Sequence, residues 1–91
     1  METIVGRLLV IWDEERLSAK YLEEMTGIKE KRWYGIRDRK VMRTEELEAL
    51  NLVFPEYAFW LATGDEIPEA YQISPMTKKA QRNLKTRPKV G

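Results

Sequence analysis

The feature that most constrains the fold of this chain is Gly27, which separates two short segments of helical periodicity. Ser18 is well suited to begin the first segment, because a serine hydroxyl accepts a hydrogen bond from the backbone of a helix's first turn. A glycine directly after the last periodic residue supplies the left-handed backbone with which many helices end. The sequence therefore predicts two helices joined by a tight turn within residues 18–38.

The second of these helices is predicted to have one buried and one exposed side. With about 100° of rotation per residue, Trp33 and Ile36 fall together and follow Ile28 toward a common core. The opposite side carries Lys31, Tyr34, Gly35 and Asp38. We therefore expect a helix that is anchored by two apolar residues and presents a polar, partly aromatic surface to solvent.

Amphipathic patterns continue on both sides of this helix pair. Residues 3–16 place apolar residues at helical spacings, and Ile4, Leu8 and Leu17 are expected in the core. Thr44 is expected to cap a helix that begins there, and Pro55 and Gly64 to begin and end another. The aromatic content of residues 57–61 exceeds what a small core needs, so either a dimer contact or packing over the opening helix is expected there.

Length and composition limit the classes of function. Ninety-one residues suffice for one domain, and the longest apolar run, Leu8 to Trp12, is far shorter than the ~20 residues that cross a bilayer. The chain has neither histidine nor cysteine, and its paired carboxylates are sequence neighbours that point about 100° apart on a helix. We therefore expect no enzyme, no metal or cofactor, no membrane association, and a cytoplasmic location, which suits a cysteine-free chain.

Charge is distributed in blocks along the chain. Residues 29–43 carry seven basic and two acidic side chains, and residues 72–91 carry six basic and none acidic. Residues 44–71 carry seven acidic side chains and none basic, and residues 1–28 carry three basic and six acidic. A polyanion would meet two positive regions, of which the first coincides with the second helix of the pair.

Residues 4–67 resemble the lambda-repressor-like (Cro/cI, XRE-type) helix-turn-helix DNA-binding domains. Leu22, Gly27 and Ile28 match the residues around the family's turn, and Trp33 and Ile36 match the buried positions of its recognition helix. The later segment RKVMRTEELEALNLVFPEYAFWLATGDE resembles the family's fourth and fifth helices, with the closing phrase at Trp60 to Asp65.

Two positions depart from the family's pattern. Glu23 stands where a small alanine is usual, and Lys29 stands where a serine often caps the recognition helix.

The resemblance implies an all-α fold, a small five-helix lambda-repressor-like bundle that contains a helix-turn-helix. We expect residues 1–71 to form this DNA-binding domain. Residues 72–91 are expected to form a basic C-terminal extension, partly helical or disordered, either as a tail or as a sixth helix. Met76, Ala80 and Leu84 recur at helical spacing in this extension and are a candidate dimer surface, as are Tyr57 to Trp60.

In a helix-turn-helix the second helix enters the major groove, and its outward residues reach base edges. By position these are Lys29, Glu30, Lys31 and Tyr34. Gly35 in mid-helix costs about 1 kcal/mol relative to alanine, which is explained if a side chain there would collide with DNA or with a neighbouring helix. Contacts with phosphates are expected from the remaining basic residues of this region: Lys20, Arg32, Arg37, Arg39 and Lys40.

The function expected from these observations is that of a sequence-specific DNA-binding transcriptional regulator of bacterial or phage type. We expect a repressor that binds double-stranded DNA as a homodimer on a short pseudo-palindromic operator. The alternative is a protein-interaction module on the same fold, a phage-encoded modulator or an antitoxin-like protein. Its partner would bind the acidic residues 44–71 and the aromatic side chains among them.

Overall fold

A computed structural model describes residues 3–86. This part of the chain contains six α-helices, two single-turn 3-10 helices and no strand. The α-helices are α1 (Ile4–Glu14), α2 (Ala19–Thr26), α3 (Glu30–Arg39), α4 (Thr44–Val53), α5 (Ala58–Thr63) and α6 (Pro75–Thr86), and the 3-10 helices are Pro55–Tyr57 and Pro68–Ala70. The expected all-α bundle is confirmed, and the extension forms a sixth helix. Disorder is expected for the ending TRPKVG, residues 86–91, of which Thr86 is the last residue of α6 and residues 87–91 lie outside the described residues.

One core joins the first five helices. It contains thirteen buried apolar residues: Val5, Leu8, Ile11, Trp12, Ala19, Leu22, Trp33, Ile36, Leu50, Phe54, Tyr57, Trp60 and Leu61. Leu8 lies at its centre as expected, whereas Ile4 and Leu17 are only partly buried and pack at its edge. Ile4 is on the same side of α1 as Leu8 but is the first residue of the helix, so it lies at the edge of the core, whereas the next residue, Val5, is buried.

The ends of the helices follow from local chemistry at most positions. The Gly64 backbone is left-handed, with φ of 85°, and its N–H caps α5 by donating to the Trp60 carbonyl at 2.7 Å. The expectation that Thr44 caps α4 is wrong. Thr44 is the first helical residue, and Arg43 occupies the cap position. The cap there comes from within the helix, since the Glu46 carboxylate accepts from the Arg43 N–H at 2.6 Å.

Packing over the opening helix accounts for most of the aromatic content of residues 57–61. Tyr57, Trp60 and Leu61 are buried where α5 lies against α1 and the preceding turn lies against α4. The Tyr57 hydroxyl donates to the Glu15 carboxylate at 2.5 Å. Burial together with this hydrogen bond raises the pKa of the Tyr57 phenol. These side chains therefore belong to the interior of the bundle and leave little aromatic surface for a partner.

A buried arginine joins α1 to the end of α5. Arg7 is 7% exposed, and its Nε donates to the Leu61 carbonyl at 2.8 Å while its Nη2 donates to the Ala62 carbonyl at 3.2 Å. These carbonyls lie in the last turn of α5, where the helix ends and no N–H of a further helical turn pairs with them. The guanidinium therefore acts as a side-chain cap across the bundle.

Within residues 3–86, no helix is both long and apolar enough to cross a bilayer.

Candidate nucleic-acid interface

The turn between α2 and α3 is held by hydrogen bonds on both sides of Gly27. The Ser18 hydroxyl accepts from the Tyr21 N–H at 3.0 Å and caps the start of α2. Gly27 has φ of 76°, and its N–H donates to the Glu23 carbonyl at 2.8 Å. The Thr26 hydroxyl then accepts from the Ile28 N–H at 3.1 Å, which fixes the first residue after the turn. The predicted pair of helices with a glycine turn is confirmed.

The first turn of α3 is capped from the preceding helix. Lys29 occupies the cap position and its side chain makes no capping hydrogen bond. Instead, a Glu23 carboxylate oxygen accepts from the Glu30 N–H at 2.6 Å. A negative charge at this end of a helix is also stabilised by the helix dipole. Glu23 and Lys29, the two positions that depart from the lambda-repressor-like pattern, are therefore complementary, because the glutamate supplies the cap that the lysine side chain does not.

Two residues anchor α3 in the core, as predicted. Trp33 and Ile36 are fully buried. The Trp33 indole N–H donates to the Ile28 carbonyl at 3.1 Å, so the ring also holds the exit of the turn. These contacts fix the rotation of α3 about its axis, and they determine which residues face away from the bundle.

The face opposite this anchor is exposed and predominantly basic. Tyr34 is 41% exposed, and Lys31 and Asp38 beside it are exposed as well. Lys29 and Lys40, at the two ends of the helix, are also exposed. We refer to these residues, together with Gly35 and Arg39, as the outer face of α3.

The other residues predicted to contact DNA lie beside the outer face. Lys20 is exposed in the first turn of α2. Glu30 is partly buried, and its backbone N–H is bound by Glu23. Arg37 is partly buried, with its guanidinium 4.9 Å from the centre of the Tyr34 ring and 5.1 Å from that of Trp12. Such cation–π contacts orient Arg37 and hold the exposed Tyr34 ring in place.

Arg32 has an internal partner that the sequence did not indicate. Its Nε and Nη2 both donate to the Glu46 carboxylate of α4, the latter at 3.0 Å, which is a bidentate pair. Burial works to raise the pKa of Glu46, but the bonds from Arg32 and from the Arg43 backbone outweigh it and hold this pKa below its usual value. Two of the guanidinium's donor nitrogens are thus committed to positioning α3 against α4.

No other helix lies close to Gly35. A Cβ built on it would lie 3.3 Å from the end of the Arg39 side chain, which is exposed and can move. Of the two reasons considered for this glycine, collision with a neighbouring helix therefore has no support in the structure.

Lys40 ends the helix with φ of 62°, and its ammonium donates to the Arg37 carbonyl at 2.5 Å.

The acidic residues 44–71 do not form one uniform surface. Glu46 binds Arg32, Glu56 binds Lys78 of α6, and Glu66 accepts from the Ser74 N–H at 2.6 Å.

Among residues 3–86, no group of three or more histidine, cysteine or carboxylate side chains is arranged to hold a metal ion.

Comparison with known proteins finds similarity among solved structures. No protein-family model matches the chain, and no curated protein sequence matches it significantly. Among solved structures it is similar to Pf6r from the filamentous phage Pf6 of Pseudomonas aeruginosa PA01, with 38% sequence identity and a TM-score of 0.77. The match covers 92% of this chain and 99% of Pf6r, so it includes the helix pair, α4, α5 and the greater part of the molecule. This chain therefore belongs to the same protein family as the filamentous-phage protein Pf6r.

Proposed function

We propose that this protein is a sequence-specific DNA-binding transcriptional regulator of phage or bacterial type, with a helix-turn-helix of the lambda-repressor-like kind. The observation that carries the proposal is the orientation of α3. Trp33 and Ile36 are fully buried, whereas Lys31 and Tyr34 on the opposite side are exposed. A helix held in this way, with basic residues at both ends, has the form of a recognition helix that enters the major groove.

The chemistry of the outer face suits contacts with base edges and phosphates. Lys31 can donate to guanine O6 or N7, and the Tyr34 ring can pack on a thymine methyl group while its hydroxyl reaches a phosphate. Lys29, Arg39 and Lys40 extend the positive charge along the helix, and Lys20 adds a cation on α2. Arg32 acts in this proposal as a positioning residue because it is paired with Glu46.

The similarity to a protein of a filamentous phage supports a regulator of phage type. We propose that it acts as a repressor and binds as a homodimer to a short pseudo-palindromic operator. A single recognition helix gives a small interface, and two helices in successive major grooves about 34 Å apart supply the additional specificity.

The proposal is tested by selecting bound sequences from a random DNA pool and then measuring affinity for the enriched sequence. We expect an inverted repeat to be enriched, and Tyr34→Ala and Lys31→Ala each to weaken binding by about 1–3 kcal/mol, as for the loss of a base contact. Tyr71→Ala is the matched control, because Tyr71 is also an exposed tyrosine, 54% exposed, but lies between α5 and α6.

Two results would contradict this function. One is a selection that enriches no sequence. The other is equal affinity of the Tyr34→Ala and Tyr71→Ala variants, which would leave α3 without a role in DNA binding and favour a protein partner bound elsewhere. Tyr34→Phe refines a positive result, because it keeps the ring over which Arg37 lies and removes only the hydroxyl.

A further inference from the structure

The helix α6 faces the rest of the bundle with its charged side. The Lys78 ammonium lies 2.5 Å from a carboxylate oxygen of Glu56 and 3.8 Å from one of Glu15. It also lies 5.3 Å from the centre of the Tyr57 ring. Lys79 approaches the Glu14 carboxylate at 3.7 Å. The basic side of α6 is therefore occupied by acidic residues of α1 and of the turn before α5.

The apolar side of the same helix faces solvent. Met76, Ala80 and Leu84 recur every fourth residue and so lie in one stripe, with 40° of rotation between neighbours. Met76 is 43% exposed, Leu84 is 66% exposed, and Ala80 between them is exposed as well. A surface helix ordinarily turns its apolar stripe toward the core. In α6 this arrangement is reversed, so the stripe is exposed in the described part of the subunit and is available to a second molecule.

The residues beside the stripe restrict what that molecule is. Thr77, Gln81 and Asn83 border it and are uncharged, whereas Lys79, three residues after Met76, also borders it and lies 3.7 Å from the Glu14 carboxylate. A helix that lies on an anionic membrane carries cations next to its apolar edge, whereas two lysines of α6 are directed at carboxylates of the bundle. The one cation of this border lies beside a carboxylate of its own subunit, which limits the repulsion when two identical stripes meet.

The order of residues in the stripe is self-complementary. A long side chain stands at each end and a small one at the centre, so the stripe reads nearly the same in both directions. A two-fold interface requires this property, because each surface meets its own copy in reverse. Ala80 at the centre allows two helix backbones to approach closely, while the longer residues fill the space on either side.

We propose that α6 pairs antiparallel with α6 of a second copy of this chain, with Ala80 at the two-fold axis. Met76 then packs against the partner subunit's Leu84, and Leu84 against the partner subunit's Met76. The pairing gives the homodimer of the proposed function its surface, although it forms without DNA. Because one stripe is much smaller than the roughly 800 Å² per subunit of a standard interface, the dimer is expected to dissociate on dilution.

Sedimentation equilibrium without DNA tests this pairing with two substitutions that each place a glutamate at an exposed apolar residue. We expect the unmodified chain to show a monomer–dimer equilibrium, Ala80→Glu to raise the dimer dissociation constant at least tenfold, and Leu52→Glu, on α4, to change it less than threefold. Both positions are exposed in the subunit, so neither substitution is expected to alter the helical circular dichroism spectrum. A chain that stays monomeric at millimolar concentration, or two variants with equal dissociation constants, would overturn the pairing.

The absence of cysteine from the chain permits a second, geometric test. With a mild thiol oxidant, Ala80→Cys is expected to form a disulfide-linked dimer and Gln81→Cys is not. A mixture of Met76→Cys and Leu84→Cys chains is expected to yield the mixed dimer in excess of either homodimer, whereas excess homodimers would indicate a parallel arrangement and refute the proposal. If these tests fail while the selected operator is still bound, only the α6 pairing is lost and the proposed function stands.

Discussion

Single residues decide how the proposed recognition helix begins and what it presents. The Glu23 carboxylate supplies the N-terminal cap of α3, and Gly27 supplies the left-handed residue that lets the two helices meet. Gly35 leaves a bare stretch of backbone on the outer face. Each of these residues acts at one position of the backbone, so its effect is testable by one substitution.

Removal of the cap is expected to cost about 1 kcal/mol of the free energy of unfolding, the typical value for an N-cap. The change is Glu23→Ala, and denaturant unfolding followed by circular dichroism measures it. Glu24→Ala is the matched control, because Glu24 is the adjacent, exposed glutamate on the same helix. Equal destabilisation by the two substitutions would show that the hydrogen bond to the Glu30 N–H does not contribute to stability.

A substitution at Gly35 is expected to move stability and DNA binding in opposite directions. Gly35→Ala should raise the free energy of unfolding by up to about 1 kcal/mol, because alanine favours the helix and the exposed Arg39 side chain can make room. The added methyl group should nevertheless weaken binding to the selected operator. Thermal unfolding and a binding titration on the same preparation measure both effects, and unchanged affinity would show that DNA does not approach this residue.

At the scale of helices, ion pairs between distant elements hold the outer face in place. Arg32 ties α3 to Glu46 of α4, and Lys78 ties α6 to Glu56 and Glu15. The Arg32–Glu46 pair is bidentate, and the Glu46 carboxylate is almost fully buried. Loss of charge at Glu46 would therefore loosen the contact between α3 and α4.

The lowered pKa of Glu46 predicts a particular dependence of stability on pH. Since the folded state binds a proton at this group less readily than the unfolded state, its contribution is complete above the unfolded pKa of about 4.3 and is lost as pH falls through the lower folded pKa. Unfolding measured from pH 7 down to pH 2 is expected to show a shallower loss of stability in Glu46→Gln than in the unmodified chain. Glu48→Gln, at an exposed position of α4, should retain the full acid dependence. Parallel curves for all three proteins would contradict the role of Glu46.

The sequence predicts the helices better than the contacts between them. Ser18, Gly27 and Gly64 act on their own neighbours, so their roles as caps are readable from the local pattern. Glu45 and Glu46 are indistinguishable in that pattern, yet one is exposed and the other binds Arg32. The pairing depends on how α3 and α4 pack, and the same holds for the inward lysines of α6. The local pattern therefore predicts Arg32 as a phosphate contact and cannot predict its pairing with Glu46.

At the scale of the whole molecule, the outer face of α3 is positively charged although the net charge of the chain is small. The net charge is only +1. Acidic residues of α1, α4 and the α5 region bind Lys78, Lys79 and Arg32, so these three cations are neutralised within the bundle. The exposed cations of the helix pair are Lys20, Lys29, Lys31, Arg39 and Lys40.

These five cations give the expected salt dependence of DNA binding by the helix pair. If each neutralises one phosphate, the slope of log K against log salt reaches roughly −4.5 per subunit, at about −0.9 per phosphate. A titration of the operator between 50 and 200 mM salt measures it. Lys29→Ala should reduce the slope by about 1 if this residue contacts a phosphate. Affinity that stays constant with salt would refute electrostatic binding by this face.

The cap that Glu23 gives to α3 also limits the order in which positions 23 and 29 can change. The helix begins here with a glutamate at position 23 as its cap and a lysine without a capping bond at position 29, and a serine at position 29 would be a different way to cap the same helix. A lineage that lost the glutamate first would pass through an uncapped and less stable intermediate. A lineage that gained the serine at position 29 first would have two caps on α3, and a later loss of Glu23 would then leave the helix capped.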